Sequence, residues 1–337
     1  LGTRADFLPL DLDQISAGEL GRLVSAYDLV VQAAGPFRLR PPHLLQACID
    51  AGVNYVDVCD DRAATEARLR LDGAARAAGI TALIDTGTFP GIDNVMVAAA
   101  LGQRPQADSV RLHFVCAGSG GGGFGVLQTM FLAVSRPHPQ WVAGQWQATP
   151  SYQQGVTVDF GPPLGRRAVY DFEVPELWSL VQTFPQLQSC TSKFGSIPAL
   201  WNWATRALAA APARWRTDPR FLDNSATFIL PTVYWVDQWV GERLGICVEI
   251  DGPDGPPEQW SFFAQSTCDA VGWATGLAAA WVLDGTVQER GVLLPETHLP
   301  AWPYLHALTA RGGVLRRQVA QAVGARPYAS GEPLLCE

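Results

Sequence analysis

The feature that most constrains this chain is a rhythm in its first hundred residues, where short apolar runs alternate with helical stretches that tend to close on glycine. Leu29 to Val31 form a continuous β run, as expected for a strand buried on both faces. Leu44 to Ala51 read as a helix closed by Gly52, and Val53 to Asp61 as a strand ending in acids. Ala63 to Ala78 read as a helix closed by Gly79, and Ile80 to Gly87 as a third strand. Pro90-Gly91 then opens a helix through Leu101, with Asp93 and Asn94 in its first turn. Strands and helices alternating at this spacing require a parallel sheet with right-handed crossovers, and such sheets bind ligands at the carboxyl ends of their strands. Those ends should carry Asp11, Gly35-Pro36-Phe37, Cys59-Asp60-Asp61 and Gly87. The small residues Ala33-Ala34-Gly35 let a ligand approach the backbone closely.

The second half changes character. Val156 to Phe160 and Arg167 to Phe172 alternate across a Gly-Pro-rich turn, and Arg243 to Asp251 faces Glu258 to Gln265 across another. Both read as antiparallel hairpins. Residues 198–215 read as a helix with Trp201 and Leu208 on one face, suited to core or subunit packing or to contact with lipid or acyl chains. Ser266-Thr267 is a cap signal for a helix over Cys268 to Leu283, ended by Asp284-Gly285. The residues from Arg311 read as another amphipathic helix and a polar tail. All twelve tryptophans lie beyond residue 140, which places a large apolar cleft or a subunit interface in this half.

Composition removes several functions. A net charge of −8 with no basic cluster argues against nucleic acid. The longest apolar stretch, Ala270 to Leu283, is too short to span a bilayer. Seven scattered cysteines without a C-x-x-C argue against a disulfide framework or a zinc ribbon and for a reducing cytoplasm. The histidines lack metal-ligand spacing, so no metal is expected. Lys193 is the sole lysine among many arginines, a product of coding bias or of chemistry that needs an ammonium.

Residues 116–125, CAGSGGGGFG, contain G-x-G-x-x-G at Gly118, Gly120 and Gly123, between an apparent strand (Val110 to Val115) and an apparent helix (Phe124 to Val134). A dinucleotide fingerprint also needs an acid about 20 residues on to hold the ribose, and no Asp or Glu occurs between Phe124 and Val158. Three readings stay open: a cofactor loop, a flexible connection between domains, and a backbone-rich loop at the substrate. No phosphate loop precedes the first strands, and the rhythm begins at what reads as a third strand. Roughly 40 to 60 further residues upstream of Leu1 would complete the unit.

The segments AAGPF, CIDAGVNYVD, AARAAGITALIDTGTFPGIDN and GVLLPE (291–296), in this order, resemble the saccharopine dehydrogenase-like oxidoreductases. The resemblance implies an α/β fold: a Rossmann-like parallel sheet, here without its first βα unit, and an inserted α+β domain with antiparallel strands. It implies a nucleotide-binding domain at 1–112, a substrate and dimerisation domain at 113–266, and a helical return onto the first domain at 267–337. It also implies NADP or NAD as cofactor, a small-molecule substrate and a homodimer. Its fingerprint lies on a strand upstream of this sequence, so Cys116 and the glycines after it would line the substrate side. Two departures stand out. Phe89 precedes Pro90-Gly91-Ile92-Asp93 where saccharopine reductases carry an aspartate, and Asp60 stands near a tyrosine of theirs. The expected acid/base groups are Asp60 and then Cys116. Asp11, Ala34, Gly35, Pro36, Phe37 and Gly87 are expected along the cofactor, with Asp11 toward the adenine. Glu296 is expected to be structural, bonded to a helix start. The alternative to hydride transfer is a catalytically silent protein that keeps the fold for binding or structure.

Overall fold

The structure, a computed structural model, describes residues 6–118, 120 and 122–319. The amino-terminal unit opens with α1 (Ala17–Val24), held by a capping box between Ser16 and Glu19. It continues through β1 (Leu29–Gln32), α2 (His43–Ala51), β2 (Asn54–Asp57), α3 (Arg62–Leu69), α4 (Asp72–Ala78), β3 (Thr81–Leu83) and α5 (Ile92–Gln103). Gly52 and Gly79 close α2 and α4 in the left-handed conformation. The helix expected over Ala63 to Ala78 is two helices, broken at Arg70-Leu71.

The second unit runs through β4 (Ser109–Ala117), α6 (Phe124–Ala133), β5 (His138–Val142), β6 (Gln145–Thr149), β7 (Val156–Asp159), β8 (Arg166–Asp171), α7 (Glu176–Thr183) and β9 (Ser189–Ile197). A helical arm follows: α8 (Leu200–Ala209), α9 (Ala213–Arg216) and α10 (Pro219–Val240). The remaining elements are β10 (Leu244–Gly252), β11 (Gly255–Ala264), α11 (Thr267–Leu283), β12 (Gly291–Leu293), α12 (Pro295–His298), α13 (Ala301–Thr309) and β13 (Val314–Val319).

Two sheets result. The first is parallel, in the order β1-β2-β3-β12, so the chain returns at Gly291–Leu293 to pair with Thr81–Leu83. The second is mixed, in the order β13-β11-β10-β4-β9-β5-β6, with the β7–β8 hairpin joined through β9. Between the sheets lie α5, α11 and α13, in one core with Val56, Leu83, Phe114, Ile246 and Trp260. Nine residues of α5 are buried, so the helix has no polar stripe. A separate core, with Leu20, Leu45, Tyr55 and Ile84, packs α1, α2 and α4 on the other face of the parallel sheet.

Three expectations change. Asp11, expected at a strand end, follows no strand: Phe7 is 90% exposed, and the Asp11 carbonyl accepts from the Gln14 and Ile15 amides in a turn. The helix expected from Arg311 is strand β13 at its start. Leu315 points inward, Arg317 bonds both carboxylate oxygens of Glu258, and the backbone pairs with β11. An open antiparallel edge overrode a local helical pattern; the rest of that expectation, beyond Val319, lies outside the described residues. The boundary drawn at 112/113 falls inside β4, which spans Ser109–Ala117 as one strand of the mixed sheet.

Candidate active site

The carboxyl ends of β1, β2 and β3 open into a cavity of about 590 Å³ between the two sheets. From the parallel sheet it is lined by Ala33, Gly35, Pro36, Phe37, Asp60 and Gly87. From the mixed sheet come Cys116, Phe194 and Ser196, with Gly118, Gly120 and Gly123 of the loop after β4. Met130 on α6, Phe172 after β8 and Thr267 at the start of α11 complete much of the wall. A wider groove of about 820 Å³ between α1 and α2 contains none of the expected site residues.

The strand tips are tied together by a buried ion pair. Arg68 Nε donates to Asp57 Oδ2 at 2.8 Å, and neither side chain has solvent exposure. The other oxygen of Asp57 accepts the Cys59 and Asp85 amides at 3.1 and 2.9 Å, joining the ends of β2 and β3. The guanidinium lies 5.2 Å from the centre of the Phe37 ring, which brings in the end of β1. Gly87 is fixed by the turn into α5, where Gly91 has φ 136° and a Cβ there would lie 2.1 Å from the Gly87 carbonyl oxygen. Only glycine fits that approach.

Asp60 follows β2, half-buried, and is the sole charged side chain among the described residues lining the cavity. Burial, then the neighbouring Asp61 charge, push its carboxyl up to about 6, against a lowering contribution from the Thr129 hydroxyl. Cys116, 9% exposed, has its thiol pushed up to about 12 by burial, so it is a neutral thiol at physiological pH. It lies beneath the glycine loop: a Cβ at Gly120 would be 3.7 Å from Cys116 Sγ. Asp60 also borders a second cavity of about 540 Å³ that carries Arg38, Arg62, Arg136 and Glu173. The two cavities share Asp60, Phe89, Val126, Thr129, Met130 and Phe172.

Gly35, Pro36, Phe37, Gly87, Asp60 and Cys116 thus face one space, and Ala34 lies between two residues that line it. Asp11 stands apart, exposed before α1. The glycine run does follow a strand and precede a helix, but that strand is β4 of the mixed sheet. It therefore faces the cavity opposite the parallel strands. Lys193 is held away from the cavity by Asp171 and by the Gln154 carbonyl. Glu296 Oε2 accepts from Asn94 Nδ2 at 3.0 Å, at the start of α5.

The aromatic floor was the feature least legible in the sequence. Phe89 stacks on Phe114 with ring centres 4.5 Å apart, and Phe172 lies 5.1 Å from Phe194. These rings come from two loops, at Phe89 and Phe172, and two strands, β4 and β9, so no local spacing joins them. Val126, Thr129 and Met130 do share one face of α6 at helical spacing and were readable in principle.

Residues 1–83 match the family model described as the saccharopine dehydrogenase NADP binding domain. A carboxynorspermidine synthase from Vibrio cholerae serotype O1 is 28% identical over 195 residues, covering 52% of this chain and 46% of that protein. The chain therefore spans about half the length of that curated relative. Saccharopine dehydrogenase (L-Glu forming) from Saccharomyces cerevisiae superposes with a TM-score of 0.62 at 16% identity, covering 93% of this chain and 88% of that one. The homospermidine synthase of Legionella pneumophila, solved in complex with NAD, gives 0.61 at 12% identity, covering 96% and 83%. At such identities the superpositions establish the fold. The match over residues 1–83 shows that the first strands are similar to a saccharopine dehydrogenase NADP binding domain.

Proposed function

We propose that this protein is an NAD(P)-dependent oxidoreductase in which Asp60 exchanges the proton that accompanies hydride transfer. The observation that carries the reading is the cavity itself: parallel strand tips with small, backbone-exposing residues face a space whose one charged side chain among the described residues is Asp60. These residues fit the nicotinamide half of a dinucleotide. Ala33, Ala34 and Gly35 leave the backbone open, and Pro36, Phe37 and Gly87 give a shaped apolar wall. The bound nicotinamide supplies or accepts a hydride. In the reductive direction the Asp60 carboxyl would give its proton to the nitrogen or oxygen of the substrate. A carboxyl near 6 can hold or release that proton around neutrality. Cys116, as a neutral thiol, bounds the substrate side. The Phe89, Phe172 and Phe194 rings exclude water.

A homodimer and a reducing, cytoplasmic setting belong to the same reading, and the six free cysteines among the described residues agree with the reducing setting. The test is titration of the protein with NADPH and NADH, following energy transfer from tryptophan to the nicotinamide. Saturable transfer with at least one of them is expected. Its absence with both would leave the fold as a binding or structural scaffold. With a substrate in hand, Asp60→Asn should retain cofactor binding and lose the titration near pH 6 in the rate profile.

A further inference from the structure

The helical arm of α8, α9 and α10 carries an apolar surface that the fold leaves uncovered. In α10 only Leu222, Ala226 and Val233 are buried, and the helix packs on Leu127 and Phe131 of α6 through its first half. On the outward side Phe228, Trp235 and Trp239 are 84%, 59% and 75% exposed. Their spacing of seven and then four residues makes one helical stripe. Leu200 and Trp203 of α8, 69% and 67% exposed, and Trp215 of α9, 49% exposed, extend the apolar surface.

Charge on the arm runs against that of the whole chain. The net charge of the protein is −8, yet Arg206, Arg214, Arg216 and Arg220 meet three acids over residues 198–240. Each acid is engaged within the protein. Asp218 accepts the Arg220 amide as the cap of α10, and Asp223 accepts from Gln128 on α6. Asp237 lies against the loop after β4, its Oδ1 in the space a Cβ at Gly118 would fill. Two of the arginines stay beside aromatic rings, Arg206 at 5.4 Å from the Trp203 ring centre and Arg214 at 5.4 Å from that of Trp215, while Arg216 donates to the Ser135 carbonyl. An aromatic stripe bordered by arginines, on an arm whose exposed Asp218 and Asp223 are bonded to its own helix cap and to Gln128, has the chemistry of a surface resting at the headgroup level of an anionic bilayer. No helix among the described residues is long and apolar enough to cross one.

We infer that the α8–α10 arm docks on an anionic lipid surface. The arm adjoins the cavity mouth. The Tyr234 hydroxyl lies 3.8 Å from where a Cβ would stand on Gly123, a cavity-lining residue. Phe124 and Val126, 37% and 45% exposed, begin the adjoining helix α6. Resting on the proposed oxidoreductase activity, the inference adds that the substrate is an apolar carbonyl or imine compound, drawn from the lipid onto the Phe89, Phe172 and Phe194 rings.

The experiment is flotation with extruded vesicles of phosphatidylcholine, alone and mixed with phosphatidylglycerol. The protein should float with the mixed vesicles and bind at least about tenfold more weakly to phosphatidylcholine alone. Trp235→Ser with Trp239→Ser, and separately Arg214→Glu with Arg220→Glu, should each weaken flotation by about tenfold or more. Both variants should melt as the parent does, because the replaced side chains are exposed. Failure of the parent to float, or flotation unchanged in both variants, overturns the inference. So does a tryptophan variant that turns a dimer into a monomer in sedimentation equilibrium while the parent ignores vesicles; the face would then belong to a second copy. NADPH titration of the same samples separates the claims. Lost flotation with retained NADPH binding removes only the docking, and lost NADPH binding with retained flotation removes only the catalytic reading.

Discussion

Several carboxyl groups here are forced toward the neutral form by burial, and their effect on stability has a definite sign. Asp93 at the start of α5, Glu176 on α7 and Glu296 on α12 are 0%, 1% and 6% exposed. Burial raises all three, Asp93 to about 7, and the Asp93 charge raises Glu176 further. Because the folded state holds the proton more tightly than the unfolded chain, Asp93 contributes fully below its ordinary value near 3.8. That contribution is lost as the pH rises toward 7. Asp93→Asn keeps the oxygen that accepts the Gly91 and Asn94 amides. It should raise stability by about 2–4 kcal/mol at pH 8 and change little near pH 4, read from urea midpoints at the two values. The buried Arg68–Asp57 pair should behave differently. Arg68→Met strands a buried carboxylate and should cost about 3–5 kcal/mol, much of it recovered by adding Asp57→Asn. A double-mutant cycle in urea checks this. At this scale the place of Asp60 on the cavity wall was legible, because the carboxyl ends of parallel strands open on one side of the sheet. The Asp93–Glu176–Glu296 cluster was not, because its members come from elements up to two hundred residues apart.

Among the elements, the loop from β4 to α6 needs glycine for reasons of shape. Gly118 has φ +61°, and a Cβ there would overlap Asp237 of α10. Gly118→Ala should cost about 1–3 kcal/mol, since strain and displacement of α10 add. Gly125, inside α6 with nothing within 4 Å of a Cβ, should gain about 0.5–1 kcal/mol when replaced by alanine. Thermal melting of the two variants should give shifts of opposite sign. The fingerprint spacing was thus read correctly as a strand, a glycine turn and a helix. Its role depended on which sheet the strand joined, and that is set by the pairing of β4 with β9 and β10. The same limit explains β13: Val314–Val319 alternates too weakly to announce a strand, and the free edge of β11 supplies the partner. α10 had a readable start at Asp218-Pro219, a cap followed by proline.

For the whole molecule, the cavity lies between two sheets that share one core, so a ligand bound there should stabilise both together. NADPH or NADH at about a hundredfold its dissociation constant should add about 2.7 kcal/mol, seen as a single shifted melting transition. A shift confined to one of two transitions would mean that the sheets unfold apart.

The sequence alone determined the parallel unit, most of its strand ends and the hairpins of the second half. Those features rest on periodicity, caps and turns, which act over a few residues. Tertiary structure decided the rest: which strands share a sheet, the return of Gly291–Leu293 to the first sheet, the aromatic floor and the cluster of buried acids. These depend on contacts between distant segments and on exclusion of water from the space between them. Neither is encoded in any local stretch of residues.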